Sequence, residues 1–220
     1  MLKKTHIFTT LVLFFVFFTI ISCNKRESIS IHTKQENLPY LHYSLQIPEY
    51  TEYSKLSKII SETLLNDFEK YRDFAQLEWE YDPSDVYTYR TLFEDHSNKD
   101  YINVLIKKYI FCGPGIEDEY FITFCWDKKQ NKLVTIEDVT GLTSMELMEY
   151  SRKYIKAHLK DVDPHSRDKI NASIDALLDE NLKKYTQFAA SKKSATLYFA
   201  TGDAAPKGFG PQEVIIKLLN

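Results

Sequence analysis

Several signals are missing from this 220-residue sequence, and each absence narrows what the chain does. It has no G-x-S-x-G, no H-E-x-x-H and no C-x-x-C. Those patterns mark serine hydrolases of the strand–turn–helix type, zinc peptidases and dithiol redox proteins. No catalytic residue is assigned, no metal site and no cofactor. A basic excess is missing as well: 28 Lys and Arg stand against 31 Asp and Glu, for a net charge of −3. Nucleic acid demands a cationic stripe and is excluded as a partner. A cationic partner is left open. The six histidines, at positions 6, 32, 42, 96, 158 and 165, are scattered. His96, in Glu94-Asp95-His96, is the one placed for a metal or acid–base role. The plainer reading, a solvated loop between strands, is preferred.

Cysteine is scarce too, with three residues at 23, 112 and 125. If 101–112 and 119–127 form a hairpin across 113–118, residue 112 faces roughly residue 119. Cys125 then lies about 20 Å up the partner strand at ~3.3 Å per residue. A disulfide needs Cα atoms within about 7 Å. Two buried thiols are the default, and a disulfide is the alternative left open.

Aromatic residues are what the chain has in excess, with 15 Tyr and 14 Phe against 6 Gly. Tyrosines suit half-buried sheet faces, where the ring packs and the hydroxyl stays wet. Apolar residues make up 44% and charged residues 27%, the balance of a folded globular protein.

The N-terminus reads as a removable segment. Lys3 and Lys4 precede the apolar run Ile7–Ile21. That run is too short for the ~20 residues that span a membrane, and it fits a signal h-region. The stretch Ile20-Ile21-Ser22-Cys23 resembles the bacterial lipobox. The resemblance implies cleavage before Cys23 and acyl chains on that residue, two or more of which anchor stably. Residues 1–22 are the expected signal peptide. Their removal takes two lysines and leaves the side chains at −5. Asn24 stands where Asp favours inner-membrane retention, so the outer membrane is expected where the cell has one. Residues 23–37 read as the lipidated cysteine and a polar tether, with no sustained period.

Beyond the tether, Leu38–Ile47 contains Pro39 and reads as an edge strand that Pro48 breaks. Tyr53–Leu77 carries Leu56, Ile59, Ile60, Leu64, Phe68 and Tyr71 at helical spacing, with Ser54 or Thr51 as its cap. Residues 78–85 read as a turn around Asp82-Pro83. Period-two alternation predicts strands at Val86–Phe93, Tyr101–Cys112 and Tyr120–Asp127, then a fourth at Leu133–Ile136 after the turn Gln130-Asn131-Lys132. Thr143-x-x-Glu146 is a capping box ahead of a stripe from Leu147 to Leu159. Asp163-Pro164 opens a second stripe from Ile170 to Leu182. Strands near 185–189, 195–200 and 213–218 close the chain, with a Gly/Pro loop at 201–211. The expected class is α+β: a mainly antiparallel sheet with one long N-terminal helix and two consecutive helices packed on it. Residues 38–85 form a strand–helix segment and 86–220 the main domain.

Trp126-Asp127-x-x-x-Asn131-Lys132-x-x-x-Ile136-x-Asp138-Val139 resembles the F-D-x-x-T-G-K-x-I-x-L-x-D-V-F stretch of the RsiV-like extracytoplasmic domain family. Tyr109-x-Phe111-x-Gly113-Pro114-Gly115 is similar to that family's Y-x-Y-T-G-G-A-H strand end. Leu197-Tyr198-Phe199, Ala205-Pro206-x-Gly208 and Val214-Ile215-Ile216 are similar to its L-x-F…A-P-Y-A-x-G…V-x-I-P ending. The likeness covers most of 40–220. The family's His after the glycine pair is absent, with Ile116 or Glu117 near its place. The resemblance implies a non-catalytic domain, found in the lysozyme-sensing anti-sigma factor RsiV and beside the catalytic domain of the deacetylase PdaC. The class of partner it implies is lysozyme or peptidoglycan.

Two acidic-aromatic runs are the candidate ligand-binding residues: Glu78, Trp79 and Tyr81 in one, Glu117 and Glu119 in the other. Carboxylates beside exposed rings suit a cationic protein or a sugar. The plainer and preferred reading is solvated turns whose rings fold back on the core. The expected function is a lipid-anchored binding or sensing module of the cell envelope. The alternatives are a wall-directed hydrolase, with two carboxylates ~5–9 Å apart, and a structural accessory lipoprotein.

Overall fold

A computed structural model describes residues 28–83, 85–112, 117–159, 163, 165–180 and 186–218. Cys23, the preceding apolar run, Gly113-Pro114-Gly115 and Pro164 lie outside the described residues. The class is α+β, but the strands form two sheets where one was expected.

The large sheet has six strands in chain order: β1 (Ile29–Asn37), β2 (Leu41–Tyr50), β3 (Tyr87–Asp95), β4 (Tyr101–Phe111), β5 (Asp118–Asp127) and β6 (Lys132–Leu133). All its pairs are antiparallel except β2 with β3. A parallel pair needs a long crossover, and helix α1 (Ser54–Tyr81) supplies it over 28 residues. The sheet therefore runs on across residue 85.

The expected tether is in part a strand. Ile29–Asn37 pairs with β2 along its whole length. Its side chains are exposed at every position but Ile29, so no apolar alternation marks it. Strand β2 is thereby an interior strand, and Pro48 sits inside it opposite Ile31.

Helix α1 lays Leu56, Ile60, Leu64, Phe68 and Ala75 on one face of the sheet. That face is Leu41, Leu45 and Ile47 of β2, Tyr89 of β3, Ile102, Val104 and Ile106 of β4, and Phe124 and Trp126 of β5. Neither Thr51 nor Ser54 caps the helix, whose N-cap is Tyr53 with no side-chain bond. Ser57 does the related work: its hydroxyl accepts from the Tyr50 N–H at 2.8 Å.

The expected strand at 133–136 stops at Leu133. Helix α2 (Ile136–Thr140) replaces the rest, because Thr135 and Asp138 close a capping box. Asn131 takes the left-handed conformation at φ 52 that lets the β5–β6 turn close. Helix α3 (Ser144–His158) begins at the Thr143–Glu146 capping box, as the spacing predicts. Helix α4 (Arg167–Glu180) follows, and Asp163 precedes it with its carboxylate accepting from Ser166 Oγ at 3.1 Å.

The small sheet is β7 (Phe188–Ala190), β8 (Ser194–Phe199) and β9 (Gln212–Lys217), all antiparallel. Among the described residues, helices α3 and α4 pack chiefly on this sheet, and the large sheet meets the same core through Cys125 and Tyr101. Leu147, Ile155, Ile174 and Leu178 share a core with Leu197, Phe199, Val214 and Ile216. The physical reason is in the alternation. Val104 and Phe124 face α1, so Asn103 and Cys125 face the other way, and Cys125 joins the second core. Between the sheets, side chains replace strand pairing. Thr123 N–H donates to Gln187 Oε1 at 2.7 Å, and Phe188 N–H donates to Thr123 Oγ1 at 2.8 Å.

Candidate functional site

The candidate residues gather at one end of the large sheet. There α1 finishes, β3 begins and the β4–β5 hairpin closes. Residues 78–81 are not a turn: the helix runs on through Tyr81, and a Gln76–Glu80 side-chain bond at 3.0 Å spans its last turns. The chain leaves the helix only at Asp82, just before Pro83. Trp79 is half-buried and meets Tyr40 at 6.2 Å between ring centres. Tyr81 is 91% exposed, so only one of the two rings folds back. Tyr71 fixes the helix to the hairpin, its hydroxyl donating to the Phe111 carbonyl at 2.7 Å.

Beneath the helix end lies Tyr87, edge-on to Phe74 at 6.0 Å. Its hydroxyl pKa is raised by burial first, and then by the charges of Glu78, Asp85, Cys112 and Asp82. The charges of three carboxylates, Glu78, Asp82 and Asp85, are thus felt at this ring. The opposing face of the same end carries Glu117 and Glu119. The register differs from the expected one: Glu119 stands opposite Tyr109, and Asp118 opposite Ile110. Arg90, Tyr109 and Glu119 form one row across three strands. Arg90 lies over the Tyr109 ring at 4.5 Å and pairs with Glu117 at 3.1 Å. Tyr109 donates to Glu119 at 3.2 Å. Burial raises the Tyr109 hydroxyl pKa, and the Glu119 charge adds to it.

The next positions on this face continue the charged row. Lys107 pairs with Glu94 at 2.7 Å, and His96 meets the other oxygen of Glu94 at 3.1 Å. His96 is thus exposed and paired in the loop after β3. The Lys107 ammonium holds the Glu94 carboxyl below its usual range, against burial, and His96 adds to the effect. Phe121 and Tyr198 meet at 5.7 Å where the small sheet begins to cover the face. Arg90 and Lys107 were not singled out from sequence, and Tyr109 only as part of the resemblance, not as a site residue. Their signal is period-two spacing, 90 with 92 and 94, and 107 with 109, and it has meaning only once the register is known.

Cys112 is exposed and Cys125 buried, and both are free. The expectation of two buried thiols holds for Cys125 alone. Cys112 falls just past the end of β4, with the Tyr71 hydroxyl 3.7 Å from its sulfur. Among the described residues, no group of three or more His, Cys, Asp or Glu is arranged to hold a metal, and no helix is long and apolar enough to cross a membrane.

Two solved structures share the fold. One is a member of the DUF3298 family from Bacteroides fragilis NCTC 9343, at 11% identity and TM-score 0.58, covering 87% of this chain and 90% of that one. The other is a DUF3298 family protein from Pseudomonas aeruginosa PAO1, at 13% identity and TM-score 0.56, covering 88% and 92%. DUF3298 is the family of RsiV C-terminal-like domains. No family model matches the sequence, and no curated protein matches it.

Proposed function

We propose that this chain is a lipid-anchored, extracytoplasmic binding module, held by acyl chains on Cys23, that captures a basic protein of the lysozyme class. The observation that carries the reading is the acidic end of the large sheet. Glu78 and Asp82 close α1 there, Asp85 leads into β3, and all three charges are felt at Tyr87. Tyr81 is exposed at the helix end, and Glu117, paired with Arg90, and Glu119 lie on the opposing face. Clustered carboxylates with a low-dielectric wall raise the local concentration of a cationic partner, and an exposed tyrosine gives it a contact at small entropic cost. The fold shared with two DUF3298 proteins is consistent with the resemblance that suggested this partner. On this reading the chain is not an enzyme and needs no cofactor.

Two measurements test the two halves of the proposal. A metabolic fatty-acid probe marks the full chain and leaves the Cys23→Ala form unmarked. Immobilised lysozyme retains the full chain above a charge-matched basic control protein. Equal retention on both columns, or retention only on purified sacculi, removes the lysozyme reading, and the second outcome puts peptidoglycan in its place.

A further inference from the structure

The opposite end of the large sheet carries a cleft of about 600 Å³ between the two sheets. That is the size of a small-molecule site. Four lysines line it from three separate turns: Lys99 from the β3–β4 loop, Lys128 and Lys129 from the β5–β6 turn, and Lys192 from the β7–β8 turn. Such a concentration is unexpected in a chain of net charge −3.

The Asp127 carboxylate is bonded within its own turn and keeps its charge. Both oxygens of Asp127 accept from Gln130, at 2.7 Å from its backbone N–H and 2.9 Å from its side-chain amide. The Lys128 ammonium is held by the Asn98 carbonyl. Among the described residues, Lys99, Lys129 and Lys192 have no ion pair, and Asp100 is the other carboxylate in the lining. With four lysines and two aspartates the lining has a formal charge of +2. Tyr101, Val139 and Leu218 add ring and aliphatic surface beside the cations.

We infer that this cleft binds a small ligand through a carboxylate or phosphate group, with the ligand's body against Tyr101, Val139 and Leu218. The three lysines reach one cleft from three turns, and an oxyanion bound there gains charge-assisted hydrogen bonds from them. The Tyr101 hydroxyl, protonated at neutral pH as tyrosines ordinarily are, has its pKa raised further by burial and by the Asp127 charge. The inference stands apart from capture of a basic protein, because the cleft and the acidic end lie at opposite ends of β4 and β5.

The test is calorimetric titration of the full chain in detergent micelles with inorganic phosphate, N-acetylmuramic acid and the neutral sugar N-acetylglucosamine. Saturable binding of at least one anion, and none of the neutral sugar, is the expected result. Preference for phosphate names a phosphate source, and preference for the muramic acid names a carboxylate on a sugar. The triple variant Lys99→Ala, Lys129→Ala, Lys192→Ala weakens that binding tenfold or more. A control triple at exposed lysines elsewhere, Lys34→Ala, Lys58→Ala, Lys153→Ala, leaves it unchanged, as do Glu78→Gln and Asp85→Asn. The inference is overturned if neither anion saturates, if the neutral sugar binds as well, or if the control triple weakens binding equally.

Discussion

Asn103 and Ala190, 87 residues apart, bond to each other as two strand residues do. The Asn103 side-chain oxygen accepts from the Ala190 N–H at 2.7 Å, and its NH2 donates to the Ala190 carbonyl at 2.8 Å. The same NH2 donates to the His96 carbonyl at 3.1 Å. Asn103 is 1% exposed, so water does not compete. One amide thus joins the small sheet to the back of the large one.

Asn103→Leu keeps the volume and removes all three bonds. It leaves the Ala190 N–H buried and unpaired, at a cost of about 2–4 kcal/mol. The urea midpoint of the full chain falls accordingly. Asn103→Asp keeps the acceptor for the Ala190 N–H but sets a buried carboxylate against the Ala190 and His96 carbonyls, and recovers none of the loss at neutral pH. A midpoint unchanged in Asn103→Leu would show that the joint is held by apolar packing alone.

A second joint lies under α1. The Lys108 ammonium sits 3.0 and 3.1 Å from the two Asp67 oxygens, and the Tyr89 hydroxyl donates to Asp67 at 2.8 Å. The Lys108 side chain is 16% exposed and Asp67 33%. Screening is only partial at that burial, so a double-mutant cycle of Asp67→Asn and Lys108→Met gives a coupling of about 1–2 kcal/mol, between exposed and buried pairs. Additive losses in the cycle contradict this.

The two downstream thiols differ in reactivity. The Cys125 thiol pKa is pushed up to about 12 by burial. In the Cys23→Ala chain at pH 8, a thiol reagent modifies Cys112 fast and Cys125 only after unfolding. The linkage sign follows from the raised value. The unfolded thiol ionises near its ordinary 9.0, before the folded one, so Cys125 lowers stability progressively as pH rises from 9 towards 12. Cys125→Ser removes that alkaline component. Equal labelling rates at the two positions in the native chain contradict the placement.

Glu94 sets part of the acid limb. Its folded pKa lies below the ordinary 4.5, chiefly because Lys107 bonds the carboxylate. The unfolded state therefore takes up the proton first as pH falls. The contribution of this pair is full above 4.5 and is lost as pH drops through the folded value. Lys107→Met flattens that portion of the stability–pH curve and also removes the loss above 10.5 that comes from the raised pKa of Lys107 itself. An unchanged acid limb in Lys107→Met argues that the exposed pair is screened to nothing.

What was legible in the sequence was whatever repeats with a period. The α1 stripe from Leu56 to Phe68 and the alternation of Ile102, Val104 and Ile106 lie where the pattern puts them. So does the Thr143 capping box, which is written in two local residues. Strand β1 was invisible because it is exposed on both faces, and only its backbone bonds to β2 make it a strand. The helix end at Glu78–Tyr81 was misread because Asp82-Pro83 marks where a helix must stop, not how long before that it persists. The division into two sheets was hidden in single polar residues, Asn103 and Thr123, whose partners lie more than 60 positions away. Glu117 and Glu119 were found by composition. Arg90 and Tyr109, which hold them, needed the register of three strands.

The most direct test of the account is retention on immobilised lysozyme of the full chain carrying Glu78→Gln, Asp85→Asn and Glu117→Gln. The account predicts a loss of tenfold or more in apparent affinity, steepest at low salt, while a control with Glu62→Gln, Asp168→Asn and Glu213→Gln binds as the parent does. Equal losses in both variants, or none in the first, would contradict it: the acidic end would then be a solvated surface with no partner of its own.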